Sequence, residues 1–302
     1  MSSSRSGLVA LIGAPNAGKS TLFNRLIGTR LSIVTPKAQT TRLRIHGVVL
    51  QETAAGDAAE VVLMDLPGIF APRRRLDRAM LAAAWKGAAE ADVALLIADA
   101  RARTSHLRPI VERLAATARE PWLVLNKIDL VARPSLLPLA AELNALAPFR
   151  RTFMLSAASG DGTADLLAAL APAMPEGPHL YPPDQVSNLS ERWLAAEIVR
   201  EQVFLQSRDE VPYDATVETE SWDEARGGAV RVSAVITVAR AGQKAILIGA
   251  GGTRIHAIGA RARALIAEAL DRPVRLALRV ELRAGWDEDR RRLATLGLED
   301  PG

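Results

Sequence analysis

The sequence predicts two domains, a doubly wound α/β domain followed by a smaller α+β domain. Apolar strand patterns first alternate with Ala-rich and Leu-rich helical patterns, a proline-rich break follows at 172–183, and a different order of helices and strands comes after it. Strands that alternate with helices at this spacing are typical of a sheet covered on both faces, which binds ligands at the carboxyl ends of its strands. The 302 residues are also enough for two domains.

In the first domain, we expect a parallel sheet. Its predicted strands are 8–12, 61–65, 92–99, 122–126 and 152–156, and its predicted helices are 75–90, 105–118, 134–147 and 163–171. Five prolines within 172–183 cannot continue a helix or a central strand, so this stretch predicts a semi-rigid, extended linker.

After the linker, the pattern predicts the order α-β-β-α-α-β. The predicted elements are a helix at 190–207, strands at 213–221 and 229–239, a short apolar helix before Gly249, a basic helix at 253–270 and a strand at 273–283.

Composition excludes several classes of protein. The chain has no cysteine, so disulfides, thiolate metal sites and cysteine nucleophiles are ruled out, in keeping with a reducing cytosol. The sequence has no apolar signal segment at its start and no run that approaches the ~20 apolar residues of a membrane-spanning helix.

Charge is distributed unevenly along the second half of the chain. Residues 176–225 carry 3 basic and 12 acidic residues, whereas residues 226–283 carry 11 basic and 3 acidic residues. This asymmetry indicates either a face that binds a polyanion or two oppositely charged surfaces that pair with each other.

The stretch GAPNAGKS at 13–20 matches the phosphate-binding pattern G-x-x-x-x-G-K-[ST], between a strand and a helix as that motif requires. Its glycines let backbone N–H groups face phosphates, while Lys19 reaches the β- and γ-phosphates and Ser20 ligates Mg²⁺. The predicted phosphate-binding residues are Gly13, Ala14, Pro15, Asn16, Ala17, Gly18, Lys19, Ser20 and Thr21.

Three later motifs, each at the end of a predicted strand, indicate guanine rather than adenine. In the first, Asp65 is expected to hold Mg²⁺ and the Gly68 N–H to meet the γ-phosphate. In the second, Asn126, Lys127 and Asp129, the Asp129 carboxylate suits the two donors of guanine, which adenine lacks. In the third, Ser156 and Ala157, the Ala157 N–H is expected to meet guanine O6.

With these motifs in order, residues 8–171 resemble the GTPase domain of the translation-factor-related class. The resemblance implies that a threonine in Gln39-Thr40-Thr41-Arg42 closes over Mg²⁺, and we prefer Thr41 to Thr40. Lys19, Thr41 and Gly68 are the expected catalytic residues, and Ser20, Thr41 and Asp65 the expected Mg²⁺ ligands. Ile69 stands where Ras-like GTPases place the water-orienting glutamine, so we expect slow intrinsic hydrolysis. Asn16 matches an asparagine that helps to hold K⁺ in related GTPases.

A second glycine cluster, Gly249-Ala250-Gly251-Gly252, allows two interpretations. A dinucleotide fingerprint would need Gly or Ala at the position of Arg254, and a complete βαβ unit is missing. A G-x-x-G loop of a type II KH domain, which clamps four nucleotides by their backbone, fits the predicted element order better. The expected RNA-binding residues are Lys244, Gly249, Ala250, Gly251, Gly252, Arg254 and Arg261.

Together, these motifs resemble the bacterial Era family over about residues 8–297. The resemblance implies an α/β P-loop GTPase domain at 1–175, a linker at 176–189 and an α+β type II KH domain with a C-terminal tail at 190–302. It implies GTP or GDP with Mg²⁺ as cofactors, and K⁺ as a further ion.

The same resemblance implies partners. They are the 3′ end of 16S rRNA and the precursor of the 30S ribosomal subunit, and we expect a cytoplasmic monomer that also associates peripherally with the inner membrane. The chain departs from the family at Leu66, where threonine is usual, and at Ala250-Gly251, which lacks the lysine often found there.

Two other classes of function stay open on the sequence alone. The second domain can instead bind a protein or a metabolite beside a P-loop enzyme, or the chain can act as a scaffold on a membrane surface.

Overall fold

The computed structural model describes residues 4–298 apart from 36, 38, 39, 54, 55, 119, 209 and 226. The elements of the first half are, in chain order, β1 (Arg5–Ile12), α1 (Lys19–Ile27), β2 (Ile45–Glu52), β3 (Ala58–Asp65), α2 (Arg75–Glu90), β4 (Val93–Asp99), α3 (Thr104–Thr117), β5 (Pro121–Asn126), α4 (Leu136–Leu146), β6 (Thr152–Leu155) and α5 (Thr163–Leu170).

Within the described residues, the first sheet has the strand order β2-β3-β1-β4-β5-β6. The expected parallel pairing is confirmed for β3, β1, β4, β5 and β6. Strand β2 was not among the predicted strands, and it pairs with β3 in the antiparallel direction. The physical reason is the short connection between β2 and β3, because a parallel neighbour would need a long crossover.

Both faces of this sheet are covered, which explains the continuous apolar runs of its strands. Val9 and Leu11 point to one side, where they pack with Phe23 of α1. Ile12 points to the opposite side, into a cluster with Val111 of α3. Alternate side chains of a strand therefore belong to different apolar clusters. The polar motif residues lie at the carboxyl ends of the strands or directly after them, outside these clusters.

The second half contains α6 (Glu191–Gln206), β7 (Ala215–Glu224), β8 (Val230–Val238), α7 (Ala241–Ile248), α8 (Thr253–Leu270), β9 (Val274–Leu282) and α9 (Arg290–Thr295). The predicted order α-β-β-α-α-β is confirmed, and α9 is an additional helix that the sequence pattern did not predict. In the sheet β7-β8-β9, β7 and β8 are antiparallel whereas β8 and β9 are parallel. Helices α6 and α8 cover one face and share its core.

The predicted linker lies against the first sheet. The Val48 N–H of the edge strand β2 donates to Val186 O at 3.0 Å. The buried Glu60 carboxylate accepts the N–H groups of Leu180 (2.7 Å) and Tyr181 (3.2 Å). The linker is thus held to the sheet at Leu180, Tyr181 and Val186 by hydrogen bonds of its backbone groups. The domain limits at 175 and 190 stay a prediction.

Among the described residues, no helix combines the length and the apolar character that crossing a bilayer requires.

Candidate functional site

The phosphate-binding motif occupies the turn between β1 and α1, at the carboxyl edge of the sheet. Its first and last glycines have positive φ angles, 155° at Gly13 and 95° at Gly18. A Cβ atom at Gly18 would lie 2.3 Å from Asn126 Nδ2, and one at Gly13 would lie 2.3 Å from Ile97 O. Only glycine fits at these two positions, because both the backbone angle and the surrounding atoms exclude a side chain.

Lys19 is buried at the start of α1. Its Nζ donates to the carbonyl oxygens of Gly13 (3.2 Å) and Ala14 (3.0 Å). Burial lowers its pKa to about 8, with Asp65 raising and Lys127 lowering the value. An anionic phosphate at this point would favour the charged ammonium, so the arrangement is suited to a nucleotide.

Three expected Mg²⁺ ligands meet in one cluster. Ser20 Oγ and Thr41 Oγ1 are 2.9 Å apart, and both donate to Asp65 Oδ2, at 2.7 Å and 3.0 Å. Asp65 Oδ1 is buried without a hydrogen-bond partner among the described residues. Burial raises the pKa of Asp65, whereas hydrogen bonds from hydroxyls, that of Ser32 first, lower it. Two hydroxyls and a carboxylate with an unused oxygen form a donor set that fits Mg²⁺.

The segment that carries Thr41 is only partly described, since Gln39 lies outside the described residues. Thr41 is buried with its hydroxyl in the cluster, whereas Thr40 accepts a hydrogen bond from Arg200 at its carbonyl oxygen. The geometry supports the preference for Thr41.

The Asp65–Gly68 turn lies directly against the phosphate-binding turn. A Cβ atom at Gly68 would lie 3.1 Å from Pro15 Cα, and the Ile69 N–H donates to Gly13 O at 3.0 Å. The Ile69 side chain packs against the apolar cluster that includes Ala14. It therefore offers no hydrogen-bonding group to a water molecule.

Asn126 ties together the three loops around the expected base. Its Nδ2 donates to Ala17 O (2.9 Å), and its Oδ1 accepts the N–H groups of Lys127 (2.8 Å) and Ala157 (3.0 Å). The Ala157 N–H that was expected to meet guanine O6 is thus donated to Asn126. Asp129 lies in an exposed turn after β5, where its carboxylate is open to a ligand, and Ser156 is buried at the end of β6.

Lys127 and Arg101 add positive charge to the same region. Lys127 Nζ donates to Asn16 O and to Asp99 Oδ2, the latter at 2.9 Å. Arg101 donates to the same carboxylate through Nε (3.0 Å) and Nη2 (2.7 Å). Burial raises the pKa of Asp99, but hydrogen bonds from Arg101 and Lys127 outweigh it and hold the pKa below its usual range.

These residues line a cavity of about 340 Å³, which is bounded by Pro15, Asn16, Gly18, Lys19, Ser20, Thr21, Ile33, Val34, Thr35, Thr40, Thr41, Gly68, Arg101 and Lys127. Sequence reasoning missed four of these lining residues, Ile33, Val34, Thr35 and Arg101, and a sequence signal was available for Arg101. The available signal was Asp99-Ala100-Arg101 at the end of β4, the same strand edge that carries the other motifs.

The second glycine cluster forms the turn between α7 and α8. Gly249, Gly251 and Gly252 have φ angles of 75°, 59° and 82°. A Cβ atom at Gly249 would lie 3.0 Å from Arg254 N. A Cβ atom at Gly251 would have no other atom within 4 Å. Ala250 and Gly251 are exposed at the tip, so the turn presents bare backbone to its surroundings.

The basic side chains near this turn divide into two groups. Arg272, Arg279 and Arg292 pair with the acidic segment, at Glu191, Glu220 and Glu218. By contrast, Lys244, Arg254, Arg261 and Arg263 form no ion pair with any residue that the structure describes. The interpretation as paired surfaces is therefore confirmed for these three arginines. The cations without an ion pair lie near the glycine turn, where a polyanion-binding face stays a prediction.

Comparisons with known proteins match both halves of the chain. A family model described as 50S ribosome-binding GTPase matches residues 8–127, and a KH domain model matches residues 210–287. GTPase Era of Afipia carboxidovorans is 51% identical over 298 residues, covering 98% of this chain and 95% of the relative. GTPase Era of Brucella suis is 48% identical and covers 98% of this chain and 94% of the relative.

Two solved structures resemble the whole chain. One is a variant of Aquifex aeolicus Era bound to GDP and AlF4⁻, and the other is an Era protein in complex with MgGDPNP and nucleotides 1506–1542 of 16S ribosomal RNA. Each has a TM-score of 0.89 and 33% identity, and the match covers 98% of this chain and 99% of the other.

Proposed function

Since the chain belongs to the Era family of GTPases, we propose that it is a GTP-hydrolysing switch that binds the 3′ end of 16S rRNA and assists assembly of the 30S subunit. The observation that carries the proposal is the full-length match to an Era protein that holds MgGDPNP and a 16S rRNA segment at once. The positions of the motif residues support the proposal, because they gather at one edge of the first sheet and at the exposed turn between α7 and α8.

At the nucleotide site, Lys19 would contact the β- and γ-phosphates while Ser20, Thr41 and Asp65 hold Mg²⁺. When bound, the ion neutralises charge on the phosphate oxygens. The backbone N–H of Gly68 would meet the γ-phosphate, and Asp129 would select guanine. Because Ile69 cannot orient water, intrinsic hydrolysis is slow and depends on groups outside this position.

We assign the region beside Asn16 to K⁺. Asn16 lines the phosphate cavity at its exposed end, and its carbonyl oxygen accepts a hydrogen bond from Lys127. A monovalent cation at this position would add positive charge beside the phosphates. GTP hydrolysis should be faster in KCl than in NaCl at matched ionic strength, and equal rates would contradict the assignment.

Coupling between the nucleotide and the second half rests on the segment between α1 and β2. Helix α6 contacts it at several points. Glu201 accepts the Val34 N–H (3.0 Å), Arg200 donates to Thr40 O, and Phe204 O accepts a hydrogen bond from Lys37. Further along, the buried Arg42 donates to the carbonyl oxygens of Tyr213 (3.1 Å) and Ala215 (2.9 Å). A change of this segment with the nucleotide would therefore move atoms that α6 and β7 contact.

The segment after Gly68 makes a second connection. Arg74 pairs with Asp214 at 2.8 Å, and the Leu76 N–H donates to Asp287 O at 3.1 Å. Trp286 and Leu293 pack against Leu76 in a buried cluster, so the C-terminal tail rests on α2. Both segments that sense the γ-phosphate in GTPases are thus attached to the second half.

RNA would bind at the turn between α7 and α8. The backbone of Ala250-Gly251 is exposed and would be open to a phosphate chain. Lys244, Arg254 and Arg261 would supply the charge that a lysine in the turn would otherwise give. Cytoplasmic localisation, a monomeric state and peripheral inner-membrane association are proposed from the family resemblance, and liposome sedimentation tests the last.

A double substitution in the glycine turn tests the RNA site. Gly251→Asp with Gly252→Asp puts two negative charges at the tip and removes the left-handed backbone preference. The affinity for 16S nucleotides 1506–1542 should fall at least ten-fold, while the GTPase rate without RNA stays unchanged. Unaltered RNA affinity at two salt concentrations would reject the KH assignment and favour a protein or membrane partner.

A further inference from the structure

Ser32 is a buried hydroxyl behind the nucleotide cavity that belongs to none of the GTPase motifs. It is 1% exposed and is not one of the residues that line the cavity. Its Oγ donates to Asp65 Oδ2 at 2.7 Å. Asp65 Oδ2 therefore accepts three hydroxyl groups, those of Ser20, Ser32 and Thr41.

Asn24 of α1 fixes the backbone of Ser32. Its Nδ2 donates to Ser32 O at 2.7 Å, and its Oδ1 accepts the N–H groups of Leu31 (3.0 Å) and Ser32 (2.9 Å). Because α1 begins at Lys19, the same helix that carries Ser20 also determines where the Ser32 hydroxyl lies.

The three hydroxyls differ in whether they would contact a bound Mg²⁺ ion. Ser20 and Thr41 offer their oxygens to Mg²⁺, and Thr41 belongs to the segment that changes with the nucleotide. Ser32 lies outside the cavity and is attached to α1, so its bond to Asp65 can persist in each state. Such outer partners orient metal-holding carboxylates and commonly affect metal affinity strongly.

We propose that Ser32, fixed by Asn24, is a positioning residue that orients the Asp65 carboxylate toward Mg²⁺ in every nucleotide state. The bond from Ser32 to Oδ2 limits rotation of the carboxylate and leaves Oδ1 for the ion or its water ligands. This inference rests on the assignment of Asp65 to Mg²⁺ made above.

The test measures Mg²⁺ dependence rather than turnover. Release of a fluorescent GDP is followed in the full-length chain over a Mg²⁺ titration, for the native sequence, Ser32→Ala and Ser135→Ala. Ser135 is exposed and donates to Ala132 O at 2.7 Å, far along the chain from the cluster, so its variant controls for loss of a hydroxyl. We expect the Mg²⁺ concentration that gives half-maximal slowing of GDP release to rise roughly 10-fold in Ser32→Ala and to stay unchanged in Ser135→Ala. The GDP affinity measured in EDTA should be the same for all three chains.

The outcomes separate this inference from the Mg²⁺ assignment. An unchanged Mg²⁺ requirement in Ser32→Ala overturns the inference, even if the unfolding temperature falls, because that result describes a purely structural hydroxyl. Asn24→Ala should also raise the Mg²⁺ concentration needed to slow GDP release. This variant replaces Ser32→Ala in the experiment if Ser32→Ala does not fold. A native chain whose GDP release ignores Mg²⁺ would overturn the Mg²⁺ assignment together with the inference.

Discussion

Two residues of the nucleotide site have a left-handed backbone without being glycine. Asn16 has a φ angle of 60° and Lys127 has a φ angle of 66°. Asparagine tolerates this conformation, whereas a long side chain adopts it at some cost in free energy. Lys127 offsets that cost with hydrogen bonds to Asn16 O and Asp99. Strain at these two positions thus coincides with the residues that shape the phosphate and base loops.

A substitution at Asp129 tests whether this carboxylate recognises guanine. Asp129→Asn replaces two acceptor oxygens with one acceptor and one donor, so the side chain can no longer accept both donors of guanine. GTP affinity should fall roughly ten-fold or more, because a charged hydrogen bond is lost. Competition between GTP and ATP in a binding assay checks this, and unchanged selectivity for GTP would remove Asp129 from the site.

At the scale of elements, α6 is notable for its buried charges. Glu197, Arg200 and Glu201 are all buried, although charged side chains rarely are unless they are paired. Arg200 donates to Glu197 at 2.7 Å, and Glu201 takes the Arg30 guanidinium and the Val34 N–H. The helix therefore directs its buried charges to the segment that approaches the nucleotide.

Variants of Glu201 separate its two contacts. Glu201→Ala removes the acceptor of the Val34 N–H, which should lower the free energy of unfolding by about 1–3 kcal/mol and reduce the preference for a GTP analogue over GDP. Glu201→Gln keeps an acceptor oxygen and should retain most of that preference. Nucleotide affinities and chemical unfolding measure both effects.

Arg30→Ala is the matched control for these variants. Arg30 is partly exposed and pairs with Glu201, so its loss removes the ion pair but leaves the Val34 contact. A change in nucleotide preference as large as that of Glu201→Ala would show that the ion pair, and not the backbone contact, carries the effect.

At the scale of the whole molecule, ion pairs within the second half neutralise part of its charge. The four lysine and arginine side chains of α7 and α8, beside the glycine turn, form no ion pair with any residue that the structure describes. The acidic segment neutralises Arg272, Arg279 and Arg292, while the cations around the glycine turn are left for a polyanion. The tail after β9 crosses back to α2, where Trp286 is 1% exposed and Arg42 lies 5.5 Å over its ring. The proposed RNA-binding turn and the nucleotide cavity thus belong to halves that are connected through α6 and through this tail.

That connection predicts different RNA affinities in the two nucleotide states. The full chain with a GTP analogue should bind the 16S segment more tightly than the chain with GDP, by several-fold, a common size for coupling between two sites. Fluorescence anisotropy at constant salt measures the difference. Equal affinities would reject coupling while leaving both binding sites intact.

The two-part organisation, the nucleotide motifs and the glycine turn could be predicted from the sequence, because each depends on residues that are close together in the chain. Spacing alone places Lys19 and Ser20 at the start of a helix, and the continuous apolar run of β1 alone indicates a strand buried on both faces. Strand β2 was not predicted from the sequence, and its antiparallel direction depends on its pairing with β3.

The contacts between these parts could not be predicted from the sequence and are seen in the fold. Ser32 reaches Asp65 across 33 residues, Arg200 reaches Thr40 across 160, and α9 finds a partner in α2. Such pairings arise from packing of distant segments, and no local pattern of residue types encodes them. The motifs of the candidate nucleotide site could therefore be identified from the sequence, whereas the contacts that support them and connect them to the proposed RNA-binding turn came from the fold.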